Sequence, residues 1–394
     1  MSVTLLVSAL NMIRQRVSEF LINNNGLVLL IMRSLSVLAF LPLMLGCMHD
    51  PQSTESRVRD IELPIAGSQL IALLADEQGR YVFAADAQHN AIHFVGADDF
   101  SVQATVNVSG PPIAMDTSAD GRLLAGISDD PPGFSMIDIG SRTVIGSAQM
   151  SGSIPTSVAF DAFNRLYVGV NNDDDTRAVR IFEIAGPQPW PELARLQTGD
   201  GYIAGRSGDR LVLYTSDEGR GSADGVTPLI RQWNLNLTPP AVINSAQLFG
   251  TTSTGNGWLF SMPAQDDRVL IYGRGVQGED GSVFDDGMLP VFDTASLERV
   301  GTLDVVGCQP VAAAATADGA RIIVGHGVNT VNAMRDCDSH FNDIHIFDAE
   351  TFEQIDAIRV SDFVRPDGLI VGPDRVVYAL LGNPTTTRIG IYVR

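Results

Sequence analysis

The segment Asp76–Asp86 reads DEQGRYVFAAD: a polar turn that closes on Arg80, followed directly by a run of aromatic, branched and small apolar residues. The same phrase recurs six more times in this chain of 394 residues. The other copies are SADGRLLAGIS at Ser118, DAFNRLYVGVN at Asp161, RSGDRLVLYTS at Arg206, AQDDRVLIYGR at Ala264, TADGARIIVGH at Thr316 and GPDRVVYALLG at Gly372. Their aligned arginines lie 42 to 58 residues apart. Each copy predicts a tight turn that leads into a buried strand.

A repeat of about 40–50 residues with several strands per unit is typical of a β-propeller. The second repeat shows the plan, with predicted strands over Pro112–Thr117, Leu123–Ile127, Phe134–Ile139 and Arg142–Ala148. The continuous apolar runs are those of strands buried on both faces between neighbouring sheets. We therefore predict an all-β chain that forms a seven-bladed β-propeller of four-stranded antiparallel blades.

The third strand of several repeats ends in an apolar residue followed by Asp or Asn. The acidic or amide residues at this point are Asp138, Asn234, Asp293 and Asp348. Such side chains bind backbone N–H groups two residues further on. They predict the turn that joins the third strand of a blade to the fourth.

Closure of the ring can also be predicted. The last repeat stops at Ile389–Val393, which is its third strand. At the other end of the repeats lies a predicted strand that belongs to none of them, Arg57–Pro64 (RVRDIELP). Placed as the outer strand of the last blade, it seals the ring by pairing with the C-terminal blade. Without such pairing the first and last blades would expose sheet edges.

These units resemble the YVTN-type repeat of bacterial surface and periplasmic propellers. In that repeat a PDG-R-LYV turn and strand precede a V-x-V-x-D strand. The pattern is matched by Asp318–Val324 (DGARIIV), Ile344–Asp348 (IHIFD) and Gly372–Tyr378 (GPDRVVY). The resemblance covers residues 57–394 and implies a WD40-like propeller. It implies no particular function, because propellers carry many unrelated activities.

The N-terminal region predicts export. Residues 32–47, MRSLSVLAFLPLMLGC, have one Arg, an apolar stretch and a final Gly-Cys, which is the pattern of a lipoprotein signal peptide with a lipobox. Cys47 is then lipidated, residues 1–31 are an upstream extension and Met32 is the initiator. Residues 48–56 form a flexible tether. The alternative is an uncleaved membrane helix over Gly26–Gly46.

Net charge and the choice of basic residue restrict the partners. The chain carries a formal net charge of −20, and every one of its 26 basic residues is Arg. Nucleic acid and anionic lipid both need cationic patches, so neither is expected as a partner. We expect a monomer that meets the membrane through its lipid anchor only, on the periplasmic side of the cell envelope. Met48 after Cys47 favours the outer membrane.

Three consecutive repeats lengthen the loop after the second strand, at 216–228, 273–287 and 325–342. These loops are acidic and would lie on one face of the ring. The candidate binding residues there are Asp217, Glu218, Asp224, Glu279, Asp280, Asp285 and Asp286. Insertions on one face of adjacent blades are a common way to build a site. A solvated acidic rim is the alternative.

Cysteine and metal-ligand patterns fall in the same region. Cys308 and Cys337 are predicted to form a disulfide in an oxidising periplasm. Alternating oxygen and imidazole groups in the third long loop offer a weak site for a divalent cation such as calcium. Those residues are Asp336, Asp338, His340 and Asn342. The loop lacks the Gly of a tight calcium loop, so no cofactor is assigned.

Other motifs carry no chemistry. Gly273–Gly278 matches G-x-G-x-x-G, but acidic residues rather than a helix follow it, so we reject a phosphate site. His89, His93 and His345 are predicted to be structural. No catalytic residue is assigned.

The leading hypothesis is therefore a non-enzymatic binding or scaffold module that holds an envelope protein or glycan. The alternatives are a metal-dependent hydrolase of the lactonase type and an electron-transfer partner subunit.

Overall fold

The structure is a computed structural model. It describes residues 57–59, 67–174, 176–186, 188–199, 201–217, 229–247, 258–261, 268–273, 276–277, 283–284, 288–304, 310–326, 343–373, 375–383 and 386–393. The predicted upstream extension, signal peptide and tether (residues 1–56) lie outside these ranges. Within them, no helix has the length and apolar character needed to cross a membrane.

The described chain forms seven four-stranded antiparallel sheets, numbered here as blades in chain order. Blades 1 to 4 consist of β2 Leu70–Ala75, β3 Tyr81–Asp86, β4 Ala91–Gly96, β5 Val102–Asn107; β6 Pro112–Thr117, β7 Leu123–Asp129, β8 Pro132–Asp138, β9 Thr143–Gln149; β10 Ser153–Phe160, β11 Arg165–Asn172, β12 Arg177–Glu183, β13 Glu192–Gln197; and β14 Tyr202–Arg206, β15 Val212–Asp217, β16 Leu229–Asn234, β17 Ala241–Gln247.

Blades 5 to 7 consist of β18 Trp258–Ser261, β19 Arg268–Gly273, β22 Met288–Asp293, β23 Arg299–Asp304; β24 Pro310–Ala315, β25 Arg321–His326, β26 Asp343–Asp348, β27 Gln354–Arg359; and β28 Val364–Val371, β29 Val377–Asn383, β30 Thr386–Val393 with β1 Arg57–Arg59. A two-stranded hairpin, β20 Val276–Gln277 and β21 Val283–Phe284, stands between β19 and β22. The predicted fold class is confirmed.

The two ends of the chain meet in blade 7. Strand β1 pairs antiparallel with β30, with Arg57 opposite Val393 and Arg59 opposite Ile391. The first strand of every blade also lies near the first strand of the next, and β28 lies near β2. The predicted pairing of the N-terminal strand with the C-terminal blade is confirmed over 57–59, while residues 60–66 lie outside the described ranges.

Apolar cores lie between neighbouring blades rather than at one centre. There is one buried cluster between each consecutive pair of blades, including blades 7 and 1. Within β3, Phe83 and Ala85 pack towards blade 2, whereas Val82 and Ala84 pack towards blade 7. Both faces of a middle strand are thus buried, which explains why the strands read as continuous apolar runs.

The repeated turns between first and second strands share one left-handed residue. It is the fourth residue of the turn in six blades: Gly79, Gly121, Asn164, Arg210, Gly319 and Arg375. The aligned arginines are therefore not equivalent, because Arg80 follows this position whereas Arg210 and Arg375 occupy it. A non-glycine residue with positive φ is uncommon.

The predicted hairpin turns are present. Asp138 Oδ1 accepts a hydrogen bond from the N–H of Ser141 at 2.7 Å, and Asn234 Oδ1 accepts one from Asn236 at 2.9 Å. Asp293 and Asp348 bind backbone N–H groups two and three residues further on in the same way. These side chains close the turn that leads into the outer strand.

Candidate functional site

The antiparallel blades give the ring two faces. The turn face carries the repeated turns that begin at Asp76, Ser118, Asp161, Ser207, Thr316 and Gly372. The loop face carries the links from second to third strands and the links between blades. In blade 1 the loop-face link is only residues 87–90, between β3 and β4.

The three predicted insertions all leave from the loop face. They follow β15, β19 and β25, the second strands of blades 4, 5 and 6. Of the predicted acidic binding residues, Asp217 ends β15, where its backbone pairs with Leu229. The other six lie outside the described ranges: Glu218, Asp224, Glu279, Asp280, Asp285 and Asp286.

The cysteine and metal predictions also fall outside the residues that the structure describes, so they stay predictions. They concern the lipidation site Cys47, the disulfide Cys308–Cys337 and the cation ligands Asp336, Asp338, His340 and Asn342. The rejected G-x-G-x-x-G segment, Gly273–Gly278, contains strand β20. Across the described ranges, no group of three or more His, Cys, Asp or Glu side chains is placed to hold a metal ion.

Blade 1 carries a dense polar network at the loop face, centred on Asp86. This carboxylate ends β3, is fully buried, and accepts hydrogen bonds from the backbone N–H of Gln69, Gln88 and His89. His93 Nε2 on β4 lies 3.0 Å from Asp86 Oδ2, and His89 Nδ1 lies 2.8 Å from the same oxygen.

Hydrogen bonding decides the charge state of Asp86. Burial alone would raise its pKa, but the bonds from His93, Ser68, His89 and the N–H of Gln69 outweigh burial and hold the pKa well below its ordinary value. A carboxylate oxygen can only accept, so His93 Nε2 carries a proton, and its Nδ1 lies 3.0 Å from Thr105 Oγ1. Every polar atom of the His93 ring therefore has a partner, as the predicted structural role requires.

Blade 6 has a different pair at the same two positions. Asp86 and His326 each pair with the first residue of a first strand, Leu70 and Pro310 respectively. His93 and His345 each pair with the residue two places earlier on the second strand. His326 therefore stands where blade 1 has Asp86, and His345 stands where blade 1 has His93.

The two blade 6 imidazoles lie against each other. Their ring centroids are 4.6 Å apart with an interplanar angle of 58°. His326 is fully buried and His345 is 5% exposed. His345 Nδ1 lies 2.9 Å from Gln354 Oε1 on β27, while its Nε2 is buried and has no hydrogen-bond partner among the residues described. Sequence analysis did not identify this pair, although Asp86 and His326 both end their copies of the repeated phrase.

A second cluster lies across the turn face and was missed by sequence reasoning. Arg206 of blade 4 binds Asp116 of blade 2, with Nε–Oδ2 at 3.2 Å and Nη2–Oδ1 at 3.1 Å. Glu77 of blade 1 binds both Arg206 and Arg210. Burial would lower the pKa of Arg206, but Asp116 and Glu77 outweigh it and raise that pKa. These ion pairs bridge three blades, so they tie the ring together across the turn face.

The left-handed turn residue supplies part of this cluster. Arg210 has φ +60° and is 3% exposed, and its guanidinium also donates to the carbonyl oxygen of Thr117. The phrase Arg206-Ser-Gly-Asp-Arg210 differs from the other copies by beginning with a second Arg. That extra basic residue was the one indication of this cluster in the sequence.

Comparison with known proteins supports the fold. No family model and no curated protein matches the chain. The Cps50 (Swd1) β-propeller domain of Myceliophteria thermophila has a TM-score of 0.59 at 10% identity, over 86% of this chain and 99% of its own. Kuenenia stuttgartiensis hydrazine synthase has a TM-score of 0.62 at 14% identity, over 86% of this chain and 97% of its own. A chain of the mitotic checkpoint complex has a TM-score of 0.60 at 14% identity, over 85% of this chain and 91% of its own. At these identities the likeness is one of fold, and the chain has the architecture of a WD40-like β-propeller.

Proposed function

We propose that this protein is an exported, lipid-anchored β-propeller that binds a basic surface of an envelope protein through its loop face. The observation that carries the proposal is the position of the insertions after β15, β19 and β25. Three adjacent second strands end on one face, and each is followed by a long acidic segment. Loops of this kind, held by a rigid scaffold, are where binding residues concentrate.

The attachment point suits this role. Third strands run from the loop face to the turn face, so Val393, near the end of β30, lies at the turn face. Arg57 pairs with Val393 and therefore lies there too. A lipid on Cys47 would be joined to this point by a tether that reaches at most roughly 30 Å when extended, so the chain enters the ring at the face opposite the one from which the insertions leave.

The acidic charge sets the expected partner. Carboxylates attract a cationic surface over about 8 Å at physiological ionic strength, and the attraction weakens as salt is added. Propellers in known assemblies, such as the chain of the mitotic checkpoint complex, support a protein partner. A glycan partner would show the same dependence on the loop face without requiring a basic protein.

The test is cross-linking of the full-length protein in intact envelopes, followed by binding measurements with the partner found. The Glu279→Gln/Asp280→Asn and Asp285→Asn/Asp286→Asn variants should each weaken binding, and added salt should weaken wild-type binding. The matched control is Asp98→Asn/Glu350→Gln, which removes the same number of charges from exposed turn-face positions.

Equal binding by loop-face and turn-face variants would overturn the acidic loop face as the binding surface. Turnover of a lactone or ester by the purified protein, lost in the loop-face variants, would replace the binding module with the hydrolase. The anchor is tested separately: Cys47→Ser should abolish fatty-acid incorporation and release the protein from the membrane fraction. A Cys47→Ser protein that stays in the membrane fraction would contradict lipid anchoring.

A further inference from the structure

We propose that His326 and His345 of blade 6 are two ligands of a divalent transition-metal ion of the zinc, nickel or copper class. The inference starts from their contact, with ring centroids 4.6 Å apart in a buried position at the loop face. It does not depend on the lipid anchor or on the acidic insertions, so it can fail while the proposed function stands.

The hydrogen bond at His345 Nδ1 determines which ring nitrogen can bind a metal. Gln354 Oε1, 2.9 Å from His345 Nδ1, is a carbonyl oxygen and can only accept. Nδ1 therefore carries a proton, and in the neutral tautomer Nε2 presents a lone pair. A metal-bound histidine ordinarily donates its other ring N–H to such an acceptor, which fixes the tautomer and makes the ligating nitrogen more basic.

Among the residues that the structure describes, none donates to that lone pair. His345 Nε2 is buried and lacks a hydrogen-bond partner within the described part of the chain. A buried polar atom without a partner destabilises the folded state. In blade 1 the same nitrogen of His93 meets Asp86. In blade 6 the position of that carboxylate is taken by the ring of His326, so a cation can satisfy what no side chain does.

The separation of the rings fits a shared ion. A zinc–nitrogen bond is about 2.0–2.1 Å long, so two imidazoles on one tetrahedral ion have centroids roughly 5 Å apart. The carboxylate of Asp343, two residues before His345, forms an ion pair with Arg359, with Nε–Oδ1 at 3.0 Å. It is therefore not one of the two proposed ligands.

The ligand type selects the metal. Imidazole ligands suit zinc, nickel and copper, whereas calcium prefers oxygen ligands. A tetrahedral ion with two protein ligands has two further positions for water or an added ligand.

The experiment is titration of the metal-free, full-length protein with Zn²⁺ and with Co²⁺ by calorimetry, with Co²⁺ absorption as a second readout. We expect one ion per chain and no competition by Ca²⁺. His345→Leu and His326→Leu should each weaken binding at least about tenfold. Gln354→Leu should weaken it about 10–100-fold, the usual effect of removing the acceptor behind a ligating histidine.

Gln354 keeps the test decisive even where a buried histidine variant fails to fold, because its side chain is exposed. Gln354→Glu should retain or strengthen binding, since a carboxylate accepts the same hydrogen bond more strongly. The matched control is Thr105→Val, which removes the partner of His93 Nδ1 at an exposed position of blade 1 and should leave metal affinity unchanged. No Zn²⁺ binding, or equal binding by Gln354→Leu and Thr105→Val, would overturn the site.

Discussion

Blade 1 and blade 6 place a histidine at the same point of the third strand, yet the two rings carry their protons on opposite nitrogens. His93 donates from Nε2 to the buried carboxylate of Asp86 and uses Nδ1 towards Thr105. His345 donates from Nδ1 to Gln354. The register of the second and third strands is the same in both blades, so the difference comes from the side chains around each ring: Asp86 and Thr105 in blade 1, His326 and Gln354 in blade 6.

The comparison shows that a histidine at one propeller position can complete a stabilising hydrogen-bond network in one blade and have a ring nitrogen available for a ligand in another. Around Asp86, two imidazoles and three backbone N–H groups converge on one carboxylate, which leaves no capacity for a ligand. Around His345, one nitrogen remains without a partner in the described structure. The four predictions that follow break or sharpen this contrast, from the largest expected effect to the smallest.

Removal of the Asp86 carboxylate should have the largest effect. Asp86→Ala leaves His93 and several backbone donors unpaired in a buried site; each such group costs about 1–3 kcal/mol, so the total loss should be about 3–5 kcal/mol. The free energy of unfolding, measured by urea denaturation, should fall by that amount. Asp98→Ala, at an exposed position of the same blade, should change it by less than about 0.5 kcal/mol. A loss of similar size in both variants would show that the network does not stabilise blade 1.

Acid should remove the same contribution gradually. The folded-state pKa of Asp86 lies below the unfolded value of about 3.9. Its stabilisation is therefore fully present above that value and is lost as the pH falls through the folded-state pKa. From about pH 4 downwards, the free energy of unfolding should decrease more steeply for wild type than for Asp86→Asn. Parallel curves from urea unfolding at a series of acidic pH values would contradict this assignment.

The two histidines should differ when each is replaced by leucine in the metal-free protein. His93→Leu removes a partner of Asp86 inside a buried network and should cost about 2 kcal/mol. His345→Leu removes a ring whose Nε2 has no partner among the described residues, so the loss should be below about 1 kcal/mol. Thermal or urea unfolding of both variants gives the comparison. A larger loss at His345 would mean that blade 6 holds a closed network as well.

The outer-strand partners should have the smallest effects on folding. Thr105→Val and Gln354→Leu each remove one hydrogen bond from an exposed position, which costs about 0.5 kcal/mol. Similar small losses in urea unfolding would show that any difference in their Zn²⁺ affinity arises from the site and not from stability. A loss of several kcal/mol at Gln354 would instead give this residue a structural role.

Much of the fold follows from local signals. The repeated turn and the apolar run predicted the strands of blade 2 to within two residues at every end, because turn residues and β-branched runs act over a few positions. The Asp and Asn residues that end third strands close their turns as predicted. The seven-part period and the unplaced N-terminal strand together predicted the pairing of β1 with β30.

The candidate sites were less accessible to sequence reasoning. His345 was assigned a structural role from its place within a strand, and its relation to His326 depends on how three strands are paired in register. Of the predicted acidic, cysteine and cation-binding residues, the structure describes only the backbone of Asp217. The insertions begin after the second strands of blades 4 to 6, as predicted.

By itself, the sequence determined the number of blades, the order of strands and the acidic character of the insertions, since each depends on residues close together in the chain. Tertiary structure alone decided which distant groups meet. Arg206 and Asp116 are 90 residues apart, and Arg210 and Glu77 are 133 apart, yet they join across the turn face. The physical reason is that ring closure and strand register set these distances, while the repeat pattern treats every blade as equivalent.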